Sequence, residues 1–538
     1  MVTLADSVVR RIVILGGGFA GVYTARRLER LFARRDDVEI TLVNRENYFV
    51  FQPLLAEVVS GNIGILDTVS PIRRLLKKSK VIIRDIDGVD LTNRTVTLGP
   101  GFWPRAHILP YDELVLALGS VTDFRGMVGL QEHALPFKNL ADAIRLRNHV
   151  IHVLEEAAIE QDPERQRQLL TFVVAGGGFS GVEVAAELND FLRRVARQFR
   201  SLRPSDVRVV IVHSGERVLE RELGQDLAEY AQKILRVRGI DLILQNRLAT
   251  ATADAAVLKS GERIATKTIV STVPSSPNPL LDGLDLPQER GKILVDATLA
   301  VKDHPGVWAV GDCALIPDPS GEGYCPPTAQ HAVREAKLVA ENIAARVSGK
   351  PPQPFGFRGL GKMGSLGHHR AVAELFGGIR ISGFLAWTMW RFVYWSKLPG
   401  IDRKLKVGVS WLLDVLIPPE FVQLKVGNAR GVAQAHYEPG DVVFRQGDLG
   451  DLLYIILEGE AEIWRRQDDQ DRLVARLGPG DYFGEMALLN AHTRSATVKC
   501  SQSMRVLTLP KGDFSLLTGS LPELRHSFEK VVQRRSTP

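Results

Sequence analysis

The sequence contains one glycine-rich motif twice, each time directly after a short aliphatic run. The first copy, ILGGGFAGV, starts at Ile14, and the second, VAGGGFSGV, starts at Val174. The aliphatic run predicts a buried parallel strand, and the residues after the glycines predict a helix. In such a turn the first glycine permits a tight bend, the second lets a pyrophosphate approach the backbone, and the third lets helix and strand pack closely. The two copies therefore predict two dinucleotide-binding units, with Gly16, Gly18 and Gly21 in the first and Gly176, Gly178 and Gly181 in the second.

Two dinucleotide sites in one polypeptide indicate a flavoprotein. The second strand of such a unit usually ends in an acid that binds ribose hydroxyls. Here VEITLVN ends at Asn44, which still offers an acceptor oxygen, and VRVVIV is followed by His213, with Arg217 nearby. We expect weak discrimination between NADH and NADPH at the second site. NADH is favoured, because no pair of arginines stands directly at the strand end.

Three further segments predict parts of a cofactor site. GVWAVGDCA places Gly311 and Asp312 after a strand, where a carboxylate reaches a polar chain such as ribitol and the glycine permits close approach. The aromatic, apolar loop 47–61 predicts either a wall over a flat ring system or ordinary core. Glu183 lies in the first turn of the second motif's helix. It is either a surface acid matched to the helix dipole or a residue that faces the nicotinamide.

Charge and cysteine content exclude several functions. A net charge of +6 over 538 residues favours an anionic partner such as a lipid surface only weakly, and DNA hardly at all. Cys313, Cys325 and Cys500 form no CxxC pair, which excludes an oxidoreductase of the CxxC thiol-disulfide type and fits a reducing compartment. We interpret Cys313 as a small core residue rather than a redox group. The sequence predicts no secretory signal, no transmembrane span and no metal site.

The segment 381–419 changes in composition. Six aromatic residues lie between Phe384 and Trp395, interrupted by Arg391, and further bases follow. The charges argue against a bilayer span, whereas two amphipathic helices with interfacial aromatics suit the headgroup region of an anionic membrane. The alternative is two helices buried in a core or in a dimer interface.

From about residue 433 the pattern becomes short strands separated by glycine turns, which is typical of an all-β roll. FGEMALL followed by TRSATV places an arginine and a carboxylate near one short turn. An arginine beside backbone NH groups can bind a phosphate, and a carboxylate can bind ribose. The stretch resembles the cyclic nucleotide-binding domain, which implies cAMP or cGMP as ligand. Ser495 can serve either nucleotide, and the chain after Phe514 is short, which limits any lid helix over the base. The residues that the resemblance assigns to this ligand are Gly484 and Glu485 for the ribose and Arg494 and Ser495 for the cyclic phosphate.

Residues 10 to about 420 resemble the two-dinucleotide-binding-domain flavoproteins, and within them the type II NADH:quinone oxidoreductases. The resemblance implies that Glu183 lies beside the nicotinamide. PPTAQHAVRE resembles the quinone-site signature AQxAxQ, with Ala329, Gln330 and Ala332 in place and Arg334 instead of the last glutamine. The implied FAD residues are Gly16, Gly18, Phe19, Gly21, Asn44, Gly119, Gly311 and Asp312, and the implied NAD(P)H residues are Gly176, Gly178, Gly181 and His213.

These inferences predict an α/β fold with two Rossmann-like domains, amphipathic membrane helices and a β-roll. The predicted reaction is hydride transfer from NADH to flavin N5, followed by reduction of a membrane quinone near Gln330, with Glu183 and Gln330 as catalytic residues. We expect a peripheral protein on the cytoplasmic face of the cell membrane, attached through residues 381–419, with a homodimer possible and no nucleic-acid partner. The alternatives are a soluble reductase of a ferredoxin or other acceptor, and a redox-responsive signalling flavoprotein. The predicted domains are 1–164 with 291–360 for FAD, 165–290 for NAD(P)H, 361–425 for the membrane segment and 430–538 for the β-roll.

Overall fold

The computed structural model describes residues 9–101, 107–122, 124, 127–272, 275–321, 323–376, 378–414, 417, 420–423, 433–448, 450, 452–467, 470–489, 493–510 and 514. Its strands are β1 Arg10–Leu15, β2 Val38–Asn44, β3 Tyr48–Val50, β4 Val69–Pro71, β5 Lys80–Ile83, β6 Ile86–Asp90, β7 Thr95–Leu98, β8 His107–Pro110, β9 Glu113–Leu116, β10 Ser120–Thr122, β11 Ala134–Pro136, β12 Thr171–Ala175, β13 Arg208–Val212, β14 Ile240–Ile243, β15 Leu248–Ala251, β16 Ala255–Leu258, β17 Arg263–Ala265, β18 Thr268–Ser271, β19 Ser275–Pro277, β20 Gln288–Glu289, β21 Lys292–Leu294, β22 Val307–Ala309, β23 Ala314–Leu315, β24 Gly361–Ser365, β25 Ala371–Leu375, β26 Ile379–Ser382, β27 Ala433–Tyr437, β28 Val442–Phe444, β29 Leu452–Gln467, β30 Gln470–Leu477, β31 Tyr482–Phe483 and β32 Thr497–Pro510. Its α-helices are α1 Phe19–Leu31, α2 Leu55–Ser60, α3 Ile72–Leu75, α4 Leu130–His133, α5 Leu140–Ile159, α6 Pro163–Leu169, α7 Phe179–Ala196, α8 Gln225–Val237, α9 Ala329–Val347, α10 Gly383–Lys397, α11 Ile401–Asp414 and α12 Glu485–Leu489.

The first dinucleotide-binding unit is built on a parallel sheet in strand order β22-β9-β1-β2-β5. β1 lies at its centre, with Ile14 paired to Leu42 on one side and Val115 on the other. Residues 12–15 are buried, which explains why this run is continuously aliphatic rather than alternating. α1 packs against α9. The first glycine turn therefore lies at the carboxyl end of the central strand, the usual ligand-binding edge of such sheets.

The second unit repeats this arrangement with a parallel sheet in the order β11-β18-β12-β13-β14. Its central strand β12 is fully buried and leads through the second glycine turn into α7. The strand Ala134–Pro136 pairs with Thr268–Ser271 in this sheet, although it falls inside the range 1–164 that we predicted for the first unit. That boundary is therefore wrong at this point. A strand of three residues carries too short a pattern to reveal which sheet it joins.

Among the described residues, the connections between the two units include a pair of short strands. β10 pairs with β19 in antiparallel fashion, and β22, later in the chain, belongs to the sheet of the first unit. After α9 a small antiparallel sheet of β24, β25 and β26 forms, and α10 and α11 follow it. These connections leave a cleft between the two glycine turns.

α10 and α11 occupy most of the segment 381–419. Each buries part of its surface against the core, through Trp390 in α10 and through Val407 and Trp411 in α11. Within the described part of the chain, no helix has both the length and the apolar character needed to cross a bilayer. The apolar side chains that these two helices leave exposed include Phe384, Leu385, Phe392, Ile401, Leu405, Val409 and Leu412.

The C-terminal unit is an antiparallel roll in strand order β27-β32-β29-β30, with β28 and β31 added at its side. It contacts the second dinucleotide-binding unit through β27, which lies against α4. The backbone NH of His436 donates to Nε2 of His133 at 2.9 Å. An ion pair of 2.9 Å joins Arg263 to Asp441. The roll is therefore docked on the unit that contains the second glycine turn.

Candidate functional site

The two glycine turns share one backbone geometry. Gly16 and Gly176 have φ angles of 110° and 118°, in the region that residues with a side chain rarely adopt. A Cβ on Gly16 would lie 2.2 Å from the carbonyl oxygen of Ala117. On the third glycines, Gly21 and Gly181, a Cβ would lie 1.8 and 2.0 Å from the carbonyl oxygen of the first glycine. Glycine is therefore required at these positions, and it brings each helix N-terminus close to the end of its strand.

The two strand-end residues fulfil the same structural role with different side chains. Oδ1 of Asn44 accepts a hydrogen bond from the backbone NH of Gly17 at 2.8 Å. Nδ1 of His213 accepts one from the backbone NH of Gly177 at 3.1 Å. Burial lowers the pKa of His213, so that at neutral pH the ring is uncharged. The residue that caps each glycine turn, Asn44 or His213, is therefore not an anion.

A cleft of about 360 Å³ lies between the two units. Phe19 and Asp312 reach it from the first unit, and Phe179 and Glu183 from the second. The segment 47–61 lines the cleft with some of its side chains, whereas others, such as Phe49 and Leu54, are buried in the core. Ala329 lines the cleft from the start of α9. The side chains that line the cleft include Phe19, Gln52, Pro53, Leu55, Ala56, Thr122, Phe137, Lys138, Phe179, Ser180, Glu183, Asp312, Ala329, Met363 and Tyr394.

Asp312 lies in a polar network at one end of this cleft. Its Oδ2 accepts a hydrogen bond from Oγ of Ser120 at 2.8 Å, and Nζ of Lys138 donates to the same Oγ. Burial lowers the pKa of Lys138, partly offset by Asp312. Gly119 and Gly311 flank this network with φ angles of 64° and 74°. Lys138 escaped sequence analysis because it stands in no motif.

Gly311 and Cys313 form hydrogen bonds with groups on the core side of the cleft. The backbone NH of Gly311 donates to Oε2 of Glu335 at 2.8 Å, and burial raises the pKa of Glu335 to about 7. Sγ of Cys313 donates to the carbonyl oxygen of Leu116 at 3.3 Å, and burial raises the pKa of its thiol to about 11. A thiol that is fully buried and protonated fits the interpretation of Cys313 as a small core residue.

Glu183 faces the cleft, so the alternative of a simple surface acid is wrong. Its Oε1 accepts a hydrogen bond from the backbone NH of Ser365 at 2.9 Å. Burial raises its pKa to about 8, against the lowering effect of the Ser365 NH. At neutral pH the carboxyl is therefore mainly protonated and able to donate a hydrogen bond into the cleft.

Behind Glu183 lies a buried acidic cluster that sequence analysis missed. Nε1 of Trp411 donates to Oε2 of Glu57 at 2.7 Å, and a guanidinium nitrogen of Arg391 lies 3.7 Å from its other oxygen. Nδ2 of Asn62 donates to Oε2 of Glu187 at 3.0 Å. Burial raises the pKa of Glu57 and of Glu187. The cluster joins α2, α7, α10 and α11, and no local pattern brings together residues so distant in sequence.

The predicted quinone residues divide between the cleft and its border. Ala329 lines the cleft. The Gln330 amide is engaged with backbone, since Nε2 donates to the carbonyl oxygen of Gly361 and the NH of Leu360 donates to Oε1, both at 3.1 Å. The Arg334 guanidinium lies 3.9 Å from the centre of the Phe357 ring. Gln330 therefore fixes the chain that enters β24, and its assigned contact with a quinone stays a prediction.

The β-roll contains a separate cavity of about 290 Å³. Nη1 of Arg494 donates to the carbonyl oxygen of Gly484 at 2.9 Å, and Nη2 to that of Leu452 at 3.0 Å. Its guanidinium lies 4.1 Å from the centre of the Phe444 ring. The chain after Phe514, whose shortness we expect to limit any lid helix, lies outside the described residues. The cavity lining brings together the predicted ligands Gly484, Glu485, Arg494 and Ser495.

Three family models match consecutive parts of the chain. The pyridine nucleotide-disulphide oxidoreductase model matches residues 10–336, which is more than half of the sequence and contains both glycine turns. The NDH2 C-terminal domain model matches residues 360–417, a range that includes α10 and α11. The cyclic nucleotide-binding domain model matches residues 434–518, which confirms the resemblance drawn from the β-roll motifs.

Similar proteins agree with these models. The type II NADH:quinone oxidoreductase Ndh of Mycobacterium tuberculosis is 30% identical over 76% of this chain and 88% of its own length. The demethylphylloquinone reductase NdbB of a Synechocystis species is 32% identical over 75% of this chain and 95% of its own. A structure of NDH2 from Plasmodium falciparum in complex with NADH shares the fold, with a TM-score of 0.71 at 18% identity, covering 77% of this chain and all of that one. With both glycine turns inside the first match and the C-terminal helices inside the second, the chain is an oxidoreductase that belongs to the type II NADH:quinone oxidoreductase family.

Proposed function

We propose that this protein oxidises NADH and reduces a quinone by way of bound FAD. The observation that carries the proposal is the cleft between the two glycine turns, to which each unit contributes an aromatic residue of its GGGF motif, Phe19 and Phe179. One turn holds the resident cofactor and the other the exchangeable nucleotide. Membership of the type II NADH:quinone oxidoreductase family supports the assignment of both substrates.

The residues of the first unit fit FAD. A Cβ placed on Gly18 would have no atom within 4 Å, so the backbone at the start of α1 is open to a pyrophosphate, and the helix N-terminus favours its charge. Asp312 is placed to accept hydrogen bonds from a ribitol chain. A bound flavin supplies hydride acceptance and two-electron delivery to a second substrate.

The side chains of the cleft position the substrates, and one of them holds a proton. The net reaction, NADH + H⁺ + quinone giving NAD⁺ + quinol, takes up one proton for each turnover. Glu183 faces the cleft with a pKa raised to about 8 by burial, so it holds a proton near neutral pH and donates a hydrogen bond. Phe19, Phe179 and the loop 47–61 exclude water from the cleft. Ala329, Gln330 and Arg334 are the residues to which we assign the quinone side of the site.

The test is an anaerobic visible spectrum of the purified protein, titrated with NADH and then with a soluble quinone analogue. We expect a flavin band that NADH bleaches and the quinone restores. A colourless protein after supplementation with FAD contradicts the assignment of Gly16 and Asp312. Bleaching without reoxidation by quinone contradicts the acceptor, and reoxidation by a ferredoxin instead supports the alternative acceptor.

We also propose that α10 and α11 hold the enzyme on an anionic membrane surface, facing the compartment that supplies NADH, the cytoplasm. The support is the row of exposed apolar side chains on both helices, such as Phe384, Leu385 and Ile401. Lipid-soluble quinone would then enter from the bilayer side. Co-sedimentation with phosphatidylglycerol vesicles tests this, with Leu385→Glu expected to weaken binding at least tenfold and Val237→Glu, an exposed apolar position on α8, as control. Equal binding by both variants contradicts the proposal.

For the β-roll we propose that it binds a cyclic nucleotide and modulates the reductase in cis. The support is the cavity around Arg494 and Ser495, together with the docking contact between His133 and His436. Modulation requires that the ligand has different affinities for the docked and released states.

Calorimetric titration with cAMP and cGMP, alongside quinone reductase activity, tests this. We expect Arg494→Gln to abolish binding and response, and His133→Ala to keep binding but reduce the response. Binding by the parent protein without any change in its activity makes the roll a passive appendage.

A further inference from the structure

The end of β13 lacks the carboxylate that usually binds the adenosine ribose in such a unit. β13 ends at Val212, and the next residue, His213, occupies the capping position above Gly177. Because Nδ1 of His213 accepts the hydrogen bond from the Gly177 NH, the proton of the neutral ring lies on Nε2. The imidazole therefore offers no acceptor to a ribose hydroxyl.

The carboxylate of a later residue, Glu220, lies close to His213. Oε1 of Glu220 lies 3.9 Å from Nε2 of His213. Its other oxygen is fixed, since Oε2 accepts hydrogen bonds from the backbone NH groups of Glu216 at 2.9 Å and Arg217 at 3.3 Å. A Cβ on Gly215 would lie 1.9 Å from Oε1. The glycine thus leaves room for this carboxylate at the strand end.

The backbone turn that presents Glu220 is tied to the glycine motif itself. The preceding residue, Leu219, has a φ of 57°, and its NH donates to the carbonyl oxygen of Gly177 at 2.8 Å. The side chain of Glu220 is 23% exposed and that of His213 is 14% exposed. Glu220 is therefore held in a fixed position that a bound nucleotide can still reach.

We propose that Glu220 takes the role of the missing strand-end acid and selects NADH over NADPH. Its free Oε1 accepts the 2′- and 3′-hydroxyls of the adenosine ribose, and its charge repels a 2′-phosphate. The guanidinium of the nearby Arg217 lies beside Glu216, 3.8 Å from its carboxylate, and not against Glu220. The inference rests on the proposed function, in which the second glycine turn binds the nicotinamide nucleotide.

The test compares Glu220→Gln with Glu216→Gln. Glutamine keeps an acceptor oxygen for the two backbone NH groups, so the turn is preserved while the charge is removed. Glu216 is 69% exposed and pairs outward with Arg217, which makes it the matched charge control. We expect Glu220→Gln to lower the ratio of kcat/KM for NADH to that for NADPH by about tenfold. Glu216→Gln changes this ratio less than about twofold.

Binding gives a second readout that does not depend on turnover. Dissociation constants of NAD⁺ and NADP⁺ for the oxidised enzyme are measured by calorimetry, and the same change in ratio is expected. An unchanged ratio in Glu220→Gln, an equal change in Glu216→Gln, or a parent enzyme that prefers NADPH each overturns the inference. A parent enzyme whose flavin neither nucleotide reduces contradicts the proposed function instead.

Discussion

α1 and α7 begin with the same motif but differ in the roles of the polar and ionisable side chains that follow it. α1 uses its buried polar groups for structure, since Oγ1 of Thr24 donates to the Ala20 carbonyl oxygen and Glu29 accepts backbone NH groups of a neighbouring loop. α7 carries ionisable residues at spacings of four, three and four, which places them on one helical face. The repeated motif forms the nucleotide-binding turn in both units. The ionisable side chains beside the cleft belong to a face of α7 that has no counterpart in α1. The α7 residues on this face are Glu183, Glu187, Asp190 and Arg194.

The largest expected effect tests the shared part of the two helices. An alanine at Gly16 or Gly176 disfavours the φ above 100° that the turn requires, so we expect the unliganded turn to relax to another geometry. Restoring the binding geometry then costs about 2–3 kcal/mol, which corresponds to roughly a hundredfold loss of affinity. Gly16→Ala should lose its flavin. Gly176→Ala should keep the flavin but respond to NADH only at far higher concentration. Flavin content and the NADH concentration at half bleaching are the measurements.

Gly88→Ala is the control for these two variants, because a Cβ at Gly88 meets open space. It should leave flavin content and NADH response unchanged. If Gly176→Ala lost its flavin as readily as Gly16→Ala, the two turns would not be separate sites.

The next effect concerns the first position at which α1 and α7 diverge in function. Four residues after the phenylalanine, α1 has Tyr23 and α7 has Glu183. If protonated Glu183 supports hydride transfer, the rate of flavin reduction by NADH should fall as the pH rises through about 8, where burial places the pKa of this carboxyl. Glu183→Gln should remove that decline. Stopped-flow measurements from pH 6 to pH 9.5 test this, with Tyr23→Phe expected to keep the decline.

We also expect opposite effects of pH on stability from one buried acid in each helix, Glu29 in α1 and Glu187 in α7. Burial raises the pKa of Glu187 above its ordinary 4.5, so its contribution is fully present below that value and is lost as the pH rises through the raised pKa. Burial also acts to raise the pKa of Glu29, but NH groups of residues 77–79 outweigh it and lower that pKa. The contribution of Glu29 is therefore present above its ordinary pKa and is lost on acidification.

Substitution of each acid by glutamine should reveal these opposite signs. Glu29→Gln should cost about 1–2 kcal/mol of unfolding free energy at pH 7 and less at pH 4. Glu187→Gln should cost less at pH 8.5 than at pH 6, because the parent then carries a buried charge. Urea unfolding at the stated pH values measures both. The same sign of pH dependence in both variants would contradict this assignment of the two helix faces.

The sequence predicted what short-range patterns specify. Both glycine turns, the strand ends at Asn44 and His213, and the carboxylate of Asp312 follow from motifs whose physics is local. The acidic cluster of Glu57 and Glu187 did not, because it depends on helices that are far apart in sequence and meet only in the folded protein. The contact of His133 with the β-roll was missed because it too joins residues far apart in sequence, and Lys138 because it stands in no motif. The position of Glu220 depends on a positive φ at Leu219, a backbone conformation that the sequence pattern does not predict.

The smallest expected effect concerns the second glycine of each turn. A Cβ on Gly18 would meet open space, whereas one on Gly178 would lie 2.9 Å from Oε1 of Glu222. A carboxylate thus lies beside the backbone that a nucleotide pyrophosphate must approach, and burial raises its pKa. A negative charge beside the place where the pyrophosphate binds weakens binding of an anionic substrate. Glu222→Gln should therefore lower the KM for NADH about twofold to threefold, with flavin content unchanged.

The charge of Glu222 fits a site whose occupant must leave in every catalytic cycle, while the open space at Gly18 fits a cofactor that stays. Steady-state kinetics with NADH at several salt concentrations separate these roles. The difference in KM between Glu222→Gln and the parent should shrink as ionic strength rises, because salt screens the repulsion. A KM difference that does not depend on salt would mean that Glu222 acts through the shape of the turn and not through its charge.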